Sequence, residues 1–254
     1  MAQLFAVPNG WIDNTGGLIQ CEDCDLTFDS NNQFAKYQKG KNFGFINLND
    51  SSFTSSTFKS LTNFTENKAL AKNDKGWFII DTLGNAGASI KCHYAYAFSD
   101  GMARIQLGNR FGFINAVGET TIPVSYSGAY DFKEGKARVF HKGKWGFIDT
   151  RGSWSISPKY DYAWDFSEGS ACVMNLKGRD EKWGFIDATG KTIIDQKYGF
   201  IFPFSDGLAI VKKQPYPMGG LRIIDTKGEL KHELVYKDIF PFKNGLACIL
   251  KEVN

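Results

Sequence analysis

The chain has 254 residues, 43% hydrophobic and 15% aromatic, which suits one repeat domain with no room for a separate catalytic module. Its 30 basic and 27 acidic residues leave a net charge of +3, too mild a balance for a nucleic-acid binder. No block of like charges is long enough for a membrane or polyanion arm, and residues 1–8 lack the basic and apolar regions of a signal peptide or a membrane span. A cytoplasmic location is expected.

The first predicted element is a strand that ends at Asp13, and its pattern recurs along the whole chain. The pattern is Trp-Gly-Phe-Ile-Asp. Its fifth position falls at Asp13, Asn47, Asp81, Asn115, Asp149, Asp187 and Asp225, at intervals of 34, 34, 34, 34, 38 and 38 residues. Isoleucine precedes each of them. A fixed register of this kind is the signature of a repeat array. The glycine beside a large ring predicts a close backbone approach. After the motif come Asp-Thr-Arg-Gly at 149–152, Asp-Ala-Thr-Gly at 187–190 and Asp-Thr-Lys-Gly at 225–228. Glycine three residues past an aspartate predicts a hairpin turn whose carboxylate caps local amides. These Asp and Asn residues are therefore read as turn formers.

A third strand follows, for example at 191–198. An aromatic residue or Cys closes it at Cys24, Phe58, Cys92, Tyr126, Tyr160, Tyr198 and Tyr236. Beyond it the slots holding Tyr96, Tyr130, Trp164 and Phe202, and then Phe98, Phe132, Phe166 and Phe204, bring further rings. A Ser-Glu-Gly turn or a relative leads into the strand that opens the next unit. That strand carries a small residue at Ala35, Ala69, Ala103, Ala137, Ala171, Ala209 and Ala247, with Tyr37, Ala71, Ile105, Val139, Val173, Val211 and Ile249 two positions on. The residue between is mixed. A period of two predicts a strand with one face inward. No stretch carries a helical stripe.

These motifs resemble those of the bacterial WG-repeat proteins. That family carries Trp-Gly-Phe-Ile-Asp, then Gly-Lys-x-Ile-Ile-Pro-x-x-Tyr-Asp, then Phe-Ser-Glu-Gly-x-Ala-x-Val. Residues 144–173 and 182–211 match closely. The first two units match less well, with Asn9 and Phe43 in place of tryptophan and Gln33 and Asn67 in place of the turn glycine. The resemblance implies a repeat β fold and no single activity, and no catalytic residue is carried over from it.

The expected fold is all-β, a single domain over 1–254 made of seven units of 34–38 residues and closed into a seven-bladed β-propeller. The phase of the termini predicts that the last unit is completed by the N-terminal strand. Residues 3–7 also read as a first strand of their own. An open β-solenoid is the alternative.

Candidate chemistry is thin. Cys21 and Cys24 form a Cys-x-x-Cys pair, but Cys24 and Cys92 share a slot that holds Phe or Tyr elsewhere. The histidines His93, His141 and His232 show no ligand spacing. No metal, cofactor or catalytic residue is assigned. Glu66, Asp100, Glu134, Glu168 and Asp206 occupy one turn slot. A slot filled once per unit gives a ring and not the converging acid pair of a glycosidase, so turn and solubility roles are expected.

The turns between the first strand and the motif strand are basic, and the acidic slot lies at the opposite end of the strands. The two longer units place their extra residues in the basic turns, at 175–181 and 214–220. Insertions on one face of an array commonly mark its binding face. Tyr216 and Met218 are the expected anchors, supported by Lys177, Arg179 and Lys213. The expected function is non-catalytic protein binding in a bacterial cytosol, for instance as an immunity protein that blocks a toxin. Binding of a glycan or cell-wall polymer is a second expectation, and an enzyme with its site in a central channel is a third.

Overall fold

The structure is a computed structural model. It describes residues 33–48, 57–177, 180–213 and 220–234, residues 52 and 54, and the strands Leu4–Val7, Gly10–Asp13, Leu18–Gln20, Cys24–Phe28, Asp238–Ile239 and Ile249–Leu250. Every regular element among them is a β-strand, and none is a helix long and apolar enough to cross a membrane. The chain divides into two compact units, Met1–Ser125 and Tyr126–Asn254.

The repeat of the sequence is a repeat of antiparallel sheets, and the two longer repeats join in one seven-stranded sheet from Tyr162–Ala163 to Leu230–Leu234. In the second unit Gly128–Ala129, Ala137–His141, Lys144–Ile148 and Trp154–Tyr160 lie in that order in one four-stranded sheet. The middle pair is the first strand and the motif strand, in the register Ala137↔Ile148 and Val139↔Gly146. In the first unit Ser60–Leu61, Lys68–Asn73, Gly76–Asp81 and Ala86–Ile90 repeat the arrangement, with Ala69↔Ile80 as the corresponding pair. Leu4–Val7 pairs with Gly10–Asp13, so the first motif strand has a partner on its N-terminal side. Asp238–Ile239 and Ile249–Leu250 form a two-stranded sheet of their own.

Alternation sorts the core. Ala171, Val173 and Ile186 point to one face and pack with Phe147, Ile156, Tyr160, Ala163 and Phe166. Cys172 and Phe185 point to the other and pack with Ile194, Tyr198, Ile201, Phe204, Ala209, Val211 and Ile224. This strand pair is thus covered on both faces, by the preceding repeat on one side and by later strands of its own long sheet on the other. The expectation of a single inward face is too narrow here. Leu70, Cys172 and Ile210, in the mixed slot, are as buried as the alanines beside them. The reason is that, within each unit, residues of the following repeat pack over that face. The alanine slot is small because it is closed on all sides: Ala35, Ala69, Ala103, Ala137 and Ala209 are fully buried.

The motif glycine has a steric cause. At Gly184 an added Cβ would lie 2.4 Å from the Ile194 carbonyl oxygen and 2.8 Å from the backbone of Asp195 and Gln196. Gly146 meets Ile156 and Pro158 in the same way, and Gly112 meets Ile122, Pro123 and Val124. The third strand is drawn across the glycine, and the ladder shifts register there, between Trp145 and Phe147 and between Trp183 and Phe185. At Gly44 it is the Tyr37 ring that fills the space.

Candidate functional site

Three recurrent polar features surround these sheets. At the motif turns, the Asp149 Oδ1 accepts the amides of Arg151 (3.0 Å) and Ser153 (2.9 Å), and its carbonyl accepts the amide of Gly152. Asp81, Asp187 and Asp225 accept equivalent amides two and four residues on, and Asn115 does so with its amide oxygen. The Ser153 N–H, and then Arg151, hold the Asp149 carboxyl below the usual carboxylate range. These residues are fully used in building turns.

The acidic slot has a further role that the sequence reading did not foresee. Glu66, Asp100, Glu134, Glu168 and Asp206 all adopt φ between 51° and 55°, the left-handed region that non-glycine residues rarely enter. Each is the first loop residue of a two-residue hairpin, and a residue with positive φ follows it: Asn67, Gly101, Gly135, Gly169 and Gly207. The turn aims the acid at the next repeat. The Glu168 carboxylate accepts the amides of Asp206 (2.6 Å) and Gly207 (2.9 Å). Glu134 accepts the amide of Gly169 (2.9 Å), and within the first unit Glu66 accepts that of Gly101 (3.0 Å). Beside these contacts the Thr65 hydroxyl donates to the Phe98 carbonyl and the Ser167 hydroxyl to that of Phe204. The three glutamates of the slot are clasps between consecutive turns. Spacing alone could not reveal them, because the acceptor's partner is a backbone group of the following repeat.

At the opposite end lie the basic turns. Lys39, Lys41, Lys75, Arg110, Lys142 and Lys213 are exposed there. Two-residue loops close the hairpins of ordinary length, as between the paired residues His141 and Lys144. In the first 38-residue repeat the strands Ser170–Lys177 and Asp180–Asp187 continue pairing through Asn175↔Lys182, Leu176↔Glu181 and Lys177↔Asp180. The four extra residues therefore lengthen the ladder and leave the loop short, carrying the tip outward by about 7 Å at ~3.4 Å per residue. Lys177 is the last residue of its strand, two positions before Arg179 in sequence. Arg179, Tyr216, Met218 and the side chain of Lys177 lie outside the described residues. Lys213 ends the strand Leu208–Lys213 and reaches a cleft lined also by Lys197, Tyr198, Arg222, Ile224, Gly228 and Leu230. Of the candidate partner residues, then, the structure places Lys213, and it adds Lys197, Tyr198 and Arg222 beside it. The sequence signal for Arg222 was its position: it stands where Gly112, Gly146 and Gly184 stand in other repeats.

Cys92 and Cys172 lie within the packing of the sheets. Cys172 is buried, which pushes its thiol pKa up, and burial raises that of Cys92 to about 11. Neither has the activated thiol of a nucleophile. Trp145 and Trp183 are partly covered, while Trp164 is 39% exposed and Tyr130, in the same slot one repeat earlier, is 42% exposed. The Arg138 guanidinium stacks on the Tyr130 ring at 3.4 Å and bonds Asp165 through Nε at 2.6 Å.

Repeated sheets of this kind define the class of all-β, propeller-like repeat proteins. The family model described as WG containing repeat matches residues 77–111, 111–145, 145–177, 183–214 and 223–252, more than half of the chain. The chain belongs to that family. No curated protein matches it. Among solved structures, one described as a eukaryotic initiation factor is similar over 91% of this chain and 72% of its own, at 12% identity and a TM-score of 0.58. Hsv2 of Kluyvelomyces marxianus is similar over 91% of this chain and 82% of its own, at 10% identity and a TM-score of 0.46. Hsv2p of Kluyveromyces lactis is similar over 80% and 74%, at 10% identity and a TM-score of 0.43. At such identities the initiation factor shows a shared fold and nothing of activity.

Proposed function

We propose that this chain is a non-catalytic protein-binding module of a bacterial cytosol, a closed seven-bladed β-propeller that presents the basic turns to a partner protein. The observation that carries this reading is the extended hairpin ending at Lys177, which continues its ladder past the length of its neighbours. A rigid protrusion costs little conformational entropy on binding, and the sequence of the next repeat carries an insertion at 214–220 in the corresponding turn. Basic side chains at that end favour an acidic partner surface and would speed encounter. A toxin whose active site is blocked by the platform is one partner of this kind.

The test is affinity capture from the source cells with the intact chain, compared with Tyr216→Ala and Arg179→Ala. Each substitution should weaken capture of the partner at least about tenfold if it removes a central anchor. Full retention by both variants would show that another face binds. A second reading is favoured by one observation: exposed rings recur in one slot at Tyr130 and Trp164. It holds that the module binds a glycan or cell-wall polymer, and it expects retention on that polymer to be lost in Trp164→Ala.

A further inference from the structure

One repeat departs from the others where its departure has a physical consequence. The slots of the cleft have counterparts in the two preceding repeats, 38 residues back at each step except for a 34-residue second step from Lys213. Lys213 corresponds to Asn175 and His141, Arg222 to Gly184 and Gly146, and Leu230 to Thr192 and Trp154. At the earliest of these positions the space is filled by rings. Tyr126 packs edge-on against both His141 and Trp154, with centroids 6.1 and 6.0 Å apart. At the middle one the third strand crosses Gly184 and closes the gap with backbone. At Arg222 no such crossing is sterically open. The ladder runs regularly through Leu221↔Leu234, Arg222↔Glu233 and Ile223↔His232. A cavity of about 370 Å³ remains, within the range of small-ligand sites.

Three cations converge on it: Lys197, Lys213 and Arg222. The facing acid is Glu233, which accepts a hydrogen bond from the Arg222 Nη2. Among the described residues that line the cleft there are three cations and no acid. The Arg222 Nε is buried and has no hydrogen-bond partner among the described residues. A buried guanidinium N–H of this kind is costly unless an acceptor reaches it. Tyr198 forms the floor, 6% exposed, and Ile224 and Leu230 form an apolar wall, with Leu230 51% exposed at the lip.

We propose that this cleft binds a small anionic ligand whose phosphate or carboxylate meets Arg222, Lys197 and Lys213 and whose apolar body lies against Ile224 and Leu230. A planar guanidinium with a spare N–H recognises an oxyanion in a fixed geometry, and the two lysines supply the remaining charge. The proposal goes beyond the partner face described above and shares only Lys213 with it.

The experiment is titration calorimetry of the full chain with phenyl phosphate, benzoate and inorganic phosphate at low salt. Saturable binding of phenyl phosphate or benzoate is expected, and which of the two binds more tightly identifies the head group. Arg222→Met should weaken that binding at least tenfold, and Lys197→Gln severalfold, with thermal unfolding of the lysine variant unchanged. Arg222→Gly, which restores the residue of the other repeats, should abolish binding. Absence of saturable binding to the unaltered chain, or affinities unchanged in both Arg222→Met and Lys197→Gln, would overturn the site. Inorganic phosphate binding as tightly as phenyl phosphate would overturn the role of the apolar wall. Neither Arg222 nor Lys197 belongs to the protruding turns, so a failure here leaves the partner face standing.

Discussion

At the scale of single residues, the glycines and acids of the motif are explained by contacts within hydrogen-bonding or van der Waals distance. Gly184→Ala would drive a methyl group into the Ile194 carbonyl and the following backbone. It should cost about 2 kcal/mol or more in a denaturant titration, because the obstructing atoms are backbone and cannot rotate away. Gly143→Ala is the contrasting case. Nothing lies within 4 Å of its added Cβ, so only the strain of φ 85° acts, and the expected cost is about 1 kcal/mol. The turn aspartates make a pH prediction. Asp149 is held below the usual carboxylate range in the folded chain. Its contribution is therefore complete above that range and is lost as pH falls through the lower, folded value. Asp149→Asn keeps an acceptor for the two amides, as Asn115 does naturally. Unfolding midpoints measured between about pH 5 and pH 2 should fall less steeply in that variant than in the parent.

At the scale of elements, the hairpin between repeats is a device with two functions. Its left-handed residues close a two-residue loop, and where the first of them is a glutamate (Glu66, Glu134, Glu168) it reaches the next loop through its carboxylate. Glu168→Ala removes acceptors from the amides of Asp206 and Gly207. A loss of about 1 kcal/mol is expected, since these charge-assisted bonds are strong but exposed to water. Glu168→Gln should recover part of it, because an amide oxygen still accepts. Equal stability of Glu168→Ala and the parent in urea would show that water replaces the clasp without cost. The acidic slot was visible in the sequence, yet its partner was not. An exposed acid at each turn reads the same whether it faces solvent or the next backbone. The extended hairpin at Lys177 shows a similar limit. Four added residues fixed where the repeat grows, whereas the continued pairing of Asn175 with Lys182 decided that it grows as ladder and not as loop.

At the scale of the whole molecule, the proposed closed wheel makes a prediction about size. A compact chain of this length has a radius of gyration of about 18 Å. Small-angle scattering of the monomer should give a value near it, and an unclosed stack of seven sheets would give a clearly larger one. Closure would also remove the free sheet faces that an open array must cap with polar residues.

The sequence by itself determined the strands, the spacing at which they recur and the turns between them. These follow from period-two alternation, from glycine and aspartate at fixed offsets, and from a 34-residue beat, all of which are local in the chain. Only the tertiary structure decided which faces are covered, what the acids touch, and that a cleft lies beside Arg222 whereas the third strand crosses Gly146 and Gly184. Those outcomes depend on atoms of neighbouring strands and repeats meeting across a packed interface. A pattern of residue types records how often the chain returns to that interface, and the shapes that meet there exist only once it has folded.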